Sequence, residues 1–134
     1  MGSCVACGDE LRIGNGELRK GDDIRERAFR FACDVVNLHD LLVTRGASTR
    51  DLSRQLVRAA TSVGANLEEA DAGQSRADFI SKCAISLKEA RESHYWLRVL
   101  NATGKLPPAT EPLLAECDEI IAILTTIVRK ASAK

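Results

Sequence analysis

The apolar residues of this chain recur at a helical period over most of its length, and that period narrows the fold to one class. Ile24, Ala28, Phe31, Val35, Leu38 and Leu42 follow one another at steps of 4, 3, 4, 3 and 4, which places all six on one side of an α-helix. The rhythm returns three times. A second set is Leu52, Leu56, Ala59, Val63, Leu67 and Ala70; a third is Ile80, Cys83, Leu87, Ala90, His94 and Leu97, with Phe79, Trp96 and Leu100 beside it. The fourth is Leu113, Cys117, Ile120, Leu124 and Ile127. An apolar stripe must be covered by another, so four of them with short connections predict an all-α chain folded as an up-down-up-down four-helix bundle. Aromatic residues make up only 4% of the sequence, so Leu, Ile, Val and Ala must supply most of the core volume.

Punctuation between the stripes sets the expected boundaries. Arg45-Gly46-Ala47 ends the first helix, Gly46 being suited to a left-handed cap. Ser48 with Asp51 forms a capping-box-like start to the second helix, and Ser75 with Asp78 repeats it for the third after the break at Ala72-Gly73-Gln74. Thr103-Gly104 closes the third helix, and Leu106-Pro107-Pro108 cannot continue it. The fourth opens near Thr110, with Pro112 tolerated in its first turn. Gly64 inside the second helix costs about 1 kcal/mol relative to Ala, and a close helix–helix contact is the expected reason for it. The bundle domain therefore spans residues 22–134, and the Gly-rich, aperiodic residues 1–21 read as a flexible N-terminal tail.

Charge and cysteine usage bound the function. Nineteen basic residues balance nineteen acidic ones, so net charge alone does not predict a strong nucleic-acid binder. No stretch is long and apolar enough for a membrane span, and Ala6 stands where a myristoylation pattern requires Ser or Thr. Among five cysteines, Cys33, Cys83 and Cys117 fall on apolar helix faces. There they read as small buried hydrophobes of a reducing, cytoplasmic compartment. Cys4 and Cys7 have the spacing of half a zinc site but lack a second pair, so no metal or other cofactor is expected.

The spacings that would mark an enzyme are missing. A bundle di-iron site needs Glu-x-x-His on two helices, whereas Val36 and Arg91 stand three residues before His39 and His94. Neither histidine carries the upstream Arg of HEPN-type helical ribonucleases. His94, on an apolar stripe, reads as a hydrogen-bonded core or interface residue. Asn66, Glu69, Glu89 and Glu92 gather at the seam between the second and third helices, where a structural polar cluster is expected and acid–base or metal chemistry is the alternative. Arg50, Arg54 and Arg58 form a ladder along the second helix, and Arg76, Lys82, Lys88, Arg91 and Arg98 add basic charge to the third. Such a ladder can track phosphates or can be a solvated face paired with Asp51, Glu68 or Asp78, and no aromatic interleaving for base stacking is evident. Leu114, Ile121 and Val128 make a second row on the fourth helix, either an oligomer interface or a wider core face.

The run from Gln55 to Ala70, QLVRAATSVGANLEEA, together with Ser75, Asp78-Phe79-Ile80, Lys82, Glu89-Ala90, Glu92 and Tyr95-Trp96-Leu97, resembles the 23S rRNA-intervening sequence proteins. The resemblance runs from near Asp22 to the C-terminus. It implies up-down-up-down bundles that assemble as homopentamers, from genes found as insertions within rRNA genes. A related branch, the accessory variability determinant protein of diversity-generating retroelements, is a pentameric barrel that binds nucleic acid and partners a reverse transcriptase. This chain departs from that branch in its neutral charge, and from the commoner family form in having Ala70 where many members have Gly.

Two functions follow as expectations. One is a non-catalytic, homo-oligomeric accessory protein that associates with RNA or DNA. The other is a protein-interaction scaffold, including a reverse transcriptase accessory subunit, that does not touch nucleic acid itself.

Overall fold

A computed structural model describes residues 20–72 and 75–133 of the protein. The N-terminal tail with Cys4 and Cys7 lies outside the described residues, apart from its last two positions, and so do Gly73 and Gln74 of the predicted break. The chain forms α1 (Lys20–Leu42), α2 (Ala47–Asp71), α3 (Arg76–Ala102), a 3-10 turn (Pro108–Thr110) and α4 (Pro112–Ser132). No strand occurs among the described residues. None of their helices is long and apolar enough to cross a membrane.

Each helix packs on the next in sequence, and α4 returns to α1, around one continuous core. All six predicted residues of α1 are buried, Ile24 being the most exposed at 3%. On α2, Leu56, Ala59, Val63, Leu67 and Ala70 are buried as expected, while Leu52 is half-buried and Thr49, Ser53 and Ala60 join the core. On α4, Leu113, Cys117, Ile120 and Leu124 are buried and Ile127 is half-buried. Burying each Leu, Ile or Phe contributes about 1.5–3 kcal/mol, several times the worth of an ion pair on the surface. The core side chains, more than the charges between helices, hold the four together.

The inward face of α3 differs from the expected stripe. Its buried residues are Cys83, Ser86, Ala90, Ser93, Leu97 and Leu100. Ile80, Leu87 and His94 are only half-buried, and Phe79 is exposed. The centre of the buried face is thus rotated toward the two serines, which an apolar count passes over. Small side chains there let α3 approach its neighbours until side chains reach backbone. Ser86 Oγ donates to the Val63 carbonyl across the α2–α3 seam at 2.8 Å, and Cys117 Sγ lies 3.4 Å from the Ala90 carbonyl across α3–α4. Ser93 satisfies itself on the Glu89 carbonyl of its own helix. Both buried hydroxyls of α3 therefore have a partner, which removes the penalty of about 1–3 kcal/mol for an unpaired one.

Of the three predicted caps, one holds. Ser75 Oγ accepts the Asp78 N–H at 3.1 Å, with Asp78 in the first turn. Ser48 caps nothing: α2 begins one residue earlier, behind Gly46, without a side-chain cap. Gly46 itself is not the left-handed cap expected. Its φ of 137° and ψ of 161° are a mirror-extended conformation open to glycine almost alone, and this bend lets Thr49 and Ser53 turn inward. Thr110 also fails as a cap, because its hydroxyl donates to the Pro107 carbonyl to close the 3-10 turn, and Pro112 starts α4 one residue after Glu111. The end of α3 follows expectation: Gly104 has a φ of 73°, and the N–H groups of Gly104 and Lys105 bond the carbonyls of Asn101 and Leu100. This pair of bonds is the Schellman pattern.

Candidate functional site

The exposed faces of α2 and α3 carry the basic residues singled out in the sequence, and the helical period sorts them into two groups. The first group is spent on contacts within the protein. Arg58 binds Glu92 and Glu89 of α3 across the seam, and Arg54 pairs with Asp51 one turn away. Lys82 bridges back to Glu69 of α2 at 2.9 Å, and Arg76 donates to the Ala131 carbonyl at the end of α4. A cation at that carbonyl end also meets the negative pole of the helix.

The second group is exposed and less engaged. Arg50, Lys88, Arg91 and Arg98 are all exposed. Among the described residues no hydrogen bond or ion pair holds Arg50, Arg91 or Arg98. Lys88 acts electrostatically on Glu92. On α3 the positions 88, 91 and 98 are 7 and 4 residues before and 3 after Tyr95, so the four side chains share one helix face. Tyr95 is 54% exposed. One aromatic side chain does stand on this face: α3 sets the exposed Tyr95 among Lys88, Arg91 and Arg98. The sequence contains the signal in the 88-91-95-98 spacing, which the reading of the basic residues alone passes over.

Behind Tyr95 a chain of contacts fixes the seam. Its ring meets Trp96 edge to face, with centroids 5.2 Å apart and planes at 68°. The Trp96 indole donates to Glu92 Oε2 at 3.0 Å, and Arg58 binds the same carboxylate. These bonds hold the Glu92 carboxyl below the usual carboxylate range, the Trp96 hydrogen bond contributing most. They also raise Arg58, chiefly through Glu92. The polar cluster expected at the seam is therefore divided. Glu89 and Glu92 meet Arg58, Glu69 meets Lys82, and Asn66 donates to the Ser62 carbonyl of its own helix at 2.8 Å.

Other reactive groups are locked into the fold. His39 Nδ1 lies 2.5 Å from Ser53 Oγ, joining α1 to α2. A histidine–serine pair is the start of a nucleophilic device, but Ser53 is fully buried and no substrate reaches it. Sequence reading missed this pair because its members sit on different helices. The half-buried His94 bonds the exposed Asp118 of α4 through Nε2 at 2.9 Å, linking α3 to α4. Arg27 grips Glu116 with two bonds of 2.8 and 2.9 Å between α1 and α4. Nearby Asp34 is exposed, but partial desolvation of its carboxyl, opposed by Arg30 and aided by Glu116, shifts it upward. Burial likewise pushes the Cys83 thiol up and the Cys117 thiol up to about 12. Among the described residues no three His, Cys, Asp or Glu side chains gather as a metal site.

The apolar row of α4 is less open than an exposed strip. Leu114, Ile121 and Val128 are half-buried against the chain's own core. The large exposed apolar side chains lie elsewhere, on α1 (Phe29, Val36, Leu41) and α3 (Phe79, Tyr95).

Comparison with known proteins places this geometry in a lineage. No curated protein matches the chain. It is similar to a protein of unknown function from the S23 ribosomal protein family of Bacteroides thetaiotaomicron, known from a crystal structure at 1.70 Å resolution. The two are 37% identical, with a TM-score of 0.76, over 83% of this chain and 99% of that one. Residues 21–126 match the pattern of the family described as 23S rRNA-intervening sequence protein. That match takes in all of α2 and α3 and most of α1 and α4, and the chain belongs to the 23S rRNA-intervening sequence protein family.

Proposed function

We propose that this protein is a non-catalytic, homo-oligomeric accessory protein that associates with nucleic acid through the outer face of α2 and α3. The observation that carries this reading is the exposed group Arg50, Lys88, Arg91 and Arg98, beside Arg54, Arg58, Arg76 and Lys82 of the same two helices, which are engaged within the protein. Phosphate tracking needs cations that are not already neutralised. The family's description by rRNA, and the neighbour's place in a ribosomal protein family, favour RNA or DNA over other polyanions. The arrangement is read as an up-down-up-down bundle, supported by the pairs Arg25–Asp71 and His39–Ser53, Lys82–Glu69 and Arg58–Glu92, and Arg76–Ala131 and His94–Asp118. Within each set the positions rise along one helix as they fall along the next.

Assembly as a homopentamer follows the family resemblance, and the exposed apolar side chains Phe29, Val36 and Leu41 of α1 are surfaces that assembly would cover. Cytoplasmic residence fits the buried, reduced thiols of Cys83 and Cys117. The test is a mobility shift with structured RNA and DNA across a salt series. Binding that weakens steeply with salt, and further in Arg91→Glu/Arg98→Glu, supports the reading. No binding at low salt refutes it.

The second reading is a protein-interaction scaffold, including a reverse transcriptase accessory subunit, with no direct contact to nucleic acid. Phe29 at 52% and Leu41 at 53% exposure favour it, as apolar anchors for a protein partner. Partner capture that survives loss of the α2 and α3 cations but fails in Phe29→Asp would select this reading.

A further inference from the structure

Tyr95 is the more exposed of the two aromatic side chains that α3 turns to solvent, at 54% against 37% for Phe79. Phe79 is the other exposed aromatic of this helix, but it lies sixteen positions earlier, near the start of α3. The Tyr95 ring is not loose: its edge-to-face contact with Trp96, the bond from Trp96 to Glu92, and the grip of Arg58 on Glu92 tie it back to α2. A fixed π-face costs little entropy to use in binding. Lys88, Arg91 and Arg98 flank it on the same face, and by the helical rise the set covers about 15 Å. Positive charge alone binds duplex and single strands alike. A fixed aromatic beside it adds what duplex cannot accept, because paired bases are already stacked on one another and turn only edges outward.

Resting on the reading of this face as a nucleic-acid interface, we infer that its target is unpaired nucleic acid, with Tyr95 as the platform on which a base stacks while Lys88, Arg91 and Arg98 hold the flanking phosphates. Bases of any identity stack on such a ring, so recognition is of single-strandedness and not of sequence. Three phosphate contacts on a single strand give a slope of about −2 in log K against log salt.

The experiment measures fluorescence anisotropy of the full chain with oligothymidine, oligouridine and a duplex, each of about 20 nucleotides per strand, long enough to cover the site. Wild type is expected to bind at least one of the single strands more tightly than duplex. Tyr95→Ala is expected to weaken that binding by about 5- to 150-fold, the range for one stacked base, with duplex affinity unchanged, and Tyr95→Phe to retain it. Near-UV circular dichroism of Trp96 and a thermal melt confirm that each variant keeps its fold. Equal binding of single strands and duplex, insensitive to Tyr95→Ala, overturns this inference and leaves the charge-based interface standing. A failure of every probe to bind at low salt overturns both.

Discussion

Gly64 sits within α2 where this helix crosses α1, and its replacement by alanine tests the packing quantitatively. A Cβ at this position would lie 3.7 Å from the carbonyl carbon and Cβ of Ala28 and 3.8 Å from its oxygen. Those are ordinary van der Waals separations, so the close approach accepts one methyl group. Gly64→Ala should then gain the helix propensity that glycine forfeits, about 0.8–1.0 kcal/mol. A folded unit of about 110 residues has an unfolding entropy near 0.23 kcal/mol/K, so the gain corresponds to a rise of about 4 °C in Tm. Urea unfolding should show a higher midpoint with an unchanged slope. Gly64→Val is the counterpart: its added methyl groups have to press on the Ala28 backbone, and overpacking should cost about 1–3 kcal/mol. Loss of stability in Gly64→Ala would refute the reasoning, because α1 and α2 would then be closer than this geometry allows.

Three further predictions concern the seams and the thiols. The Glu92 carboxyl is depressed in the folded state by Trp96 and Arg58, so its contribution is present above the ordinary carboxylate pKa and is lost as pH falls through the lower, folded value. Urea midpoints between neutral and strongly acid pH should therefore fall less in Glu92→Gln than in wild type; identical profiles would contradict this. Ser86→Ala removes the bond to the Val63 carbonyl and should cost about 0.5–1.5 kcal/mol in chemical denaturation, whereas Ser86→Leu should cost more by overpacking the α2–α3 seam. Cys83 and Cys117, buried with raised thiols, should resist a thiol-specific reagent in native protein and react once denaturant is added; rapid native labelling of Cys117 would show the core to be open.

Much of the fold was legible because burial in helices leaves a periodic trace. The six α1 residues and the Leu113–Leu124 series of α4 were all identified by spacing alone. The trace fails where a buried residue is small and polar. Ser53, Ser86 and Ser93 belong to the core because each finds a partner, Ser53 on His39, Ser86 on Val63 and Ser93 on Glu89, and no apolar count registers them. Capping was legible only where it is local, as at Ser75. At Ser48 the backbone of Gly46 decided the boundary, and at Thr110 the proline turn did. The basic ladder was visible as residue types, but which cations are neutralised depends on pairings across helices, such as Arg58 with Glu92 and Lys82 with Glu69. The exposure of Tyr95 among Lys88, Arg91 and Arg98 is likewise a property of the folded surface that residue types alone do not display.

In the proposed function a homo-oligomer of this chain engages nucleic acid through the exposed cations of α2 and α3. Multi-angle light scattering of the purified protein, alone and mixed with RNA or DNA at low salt, tests both halves at once. The account predicts a mass several times the 14.5 kDa of one chain, expected as a pentamer, and a further increase with nucleic acid that disappears at high salt and in Arg91→Glu/Arg98→Glu. A monomer whose mass does not change when nucleic acid is added would contradict it.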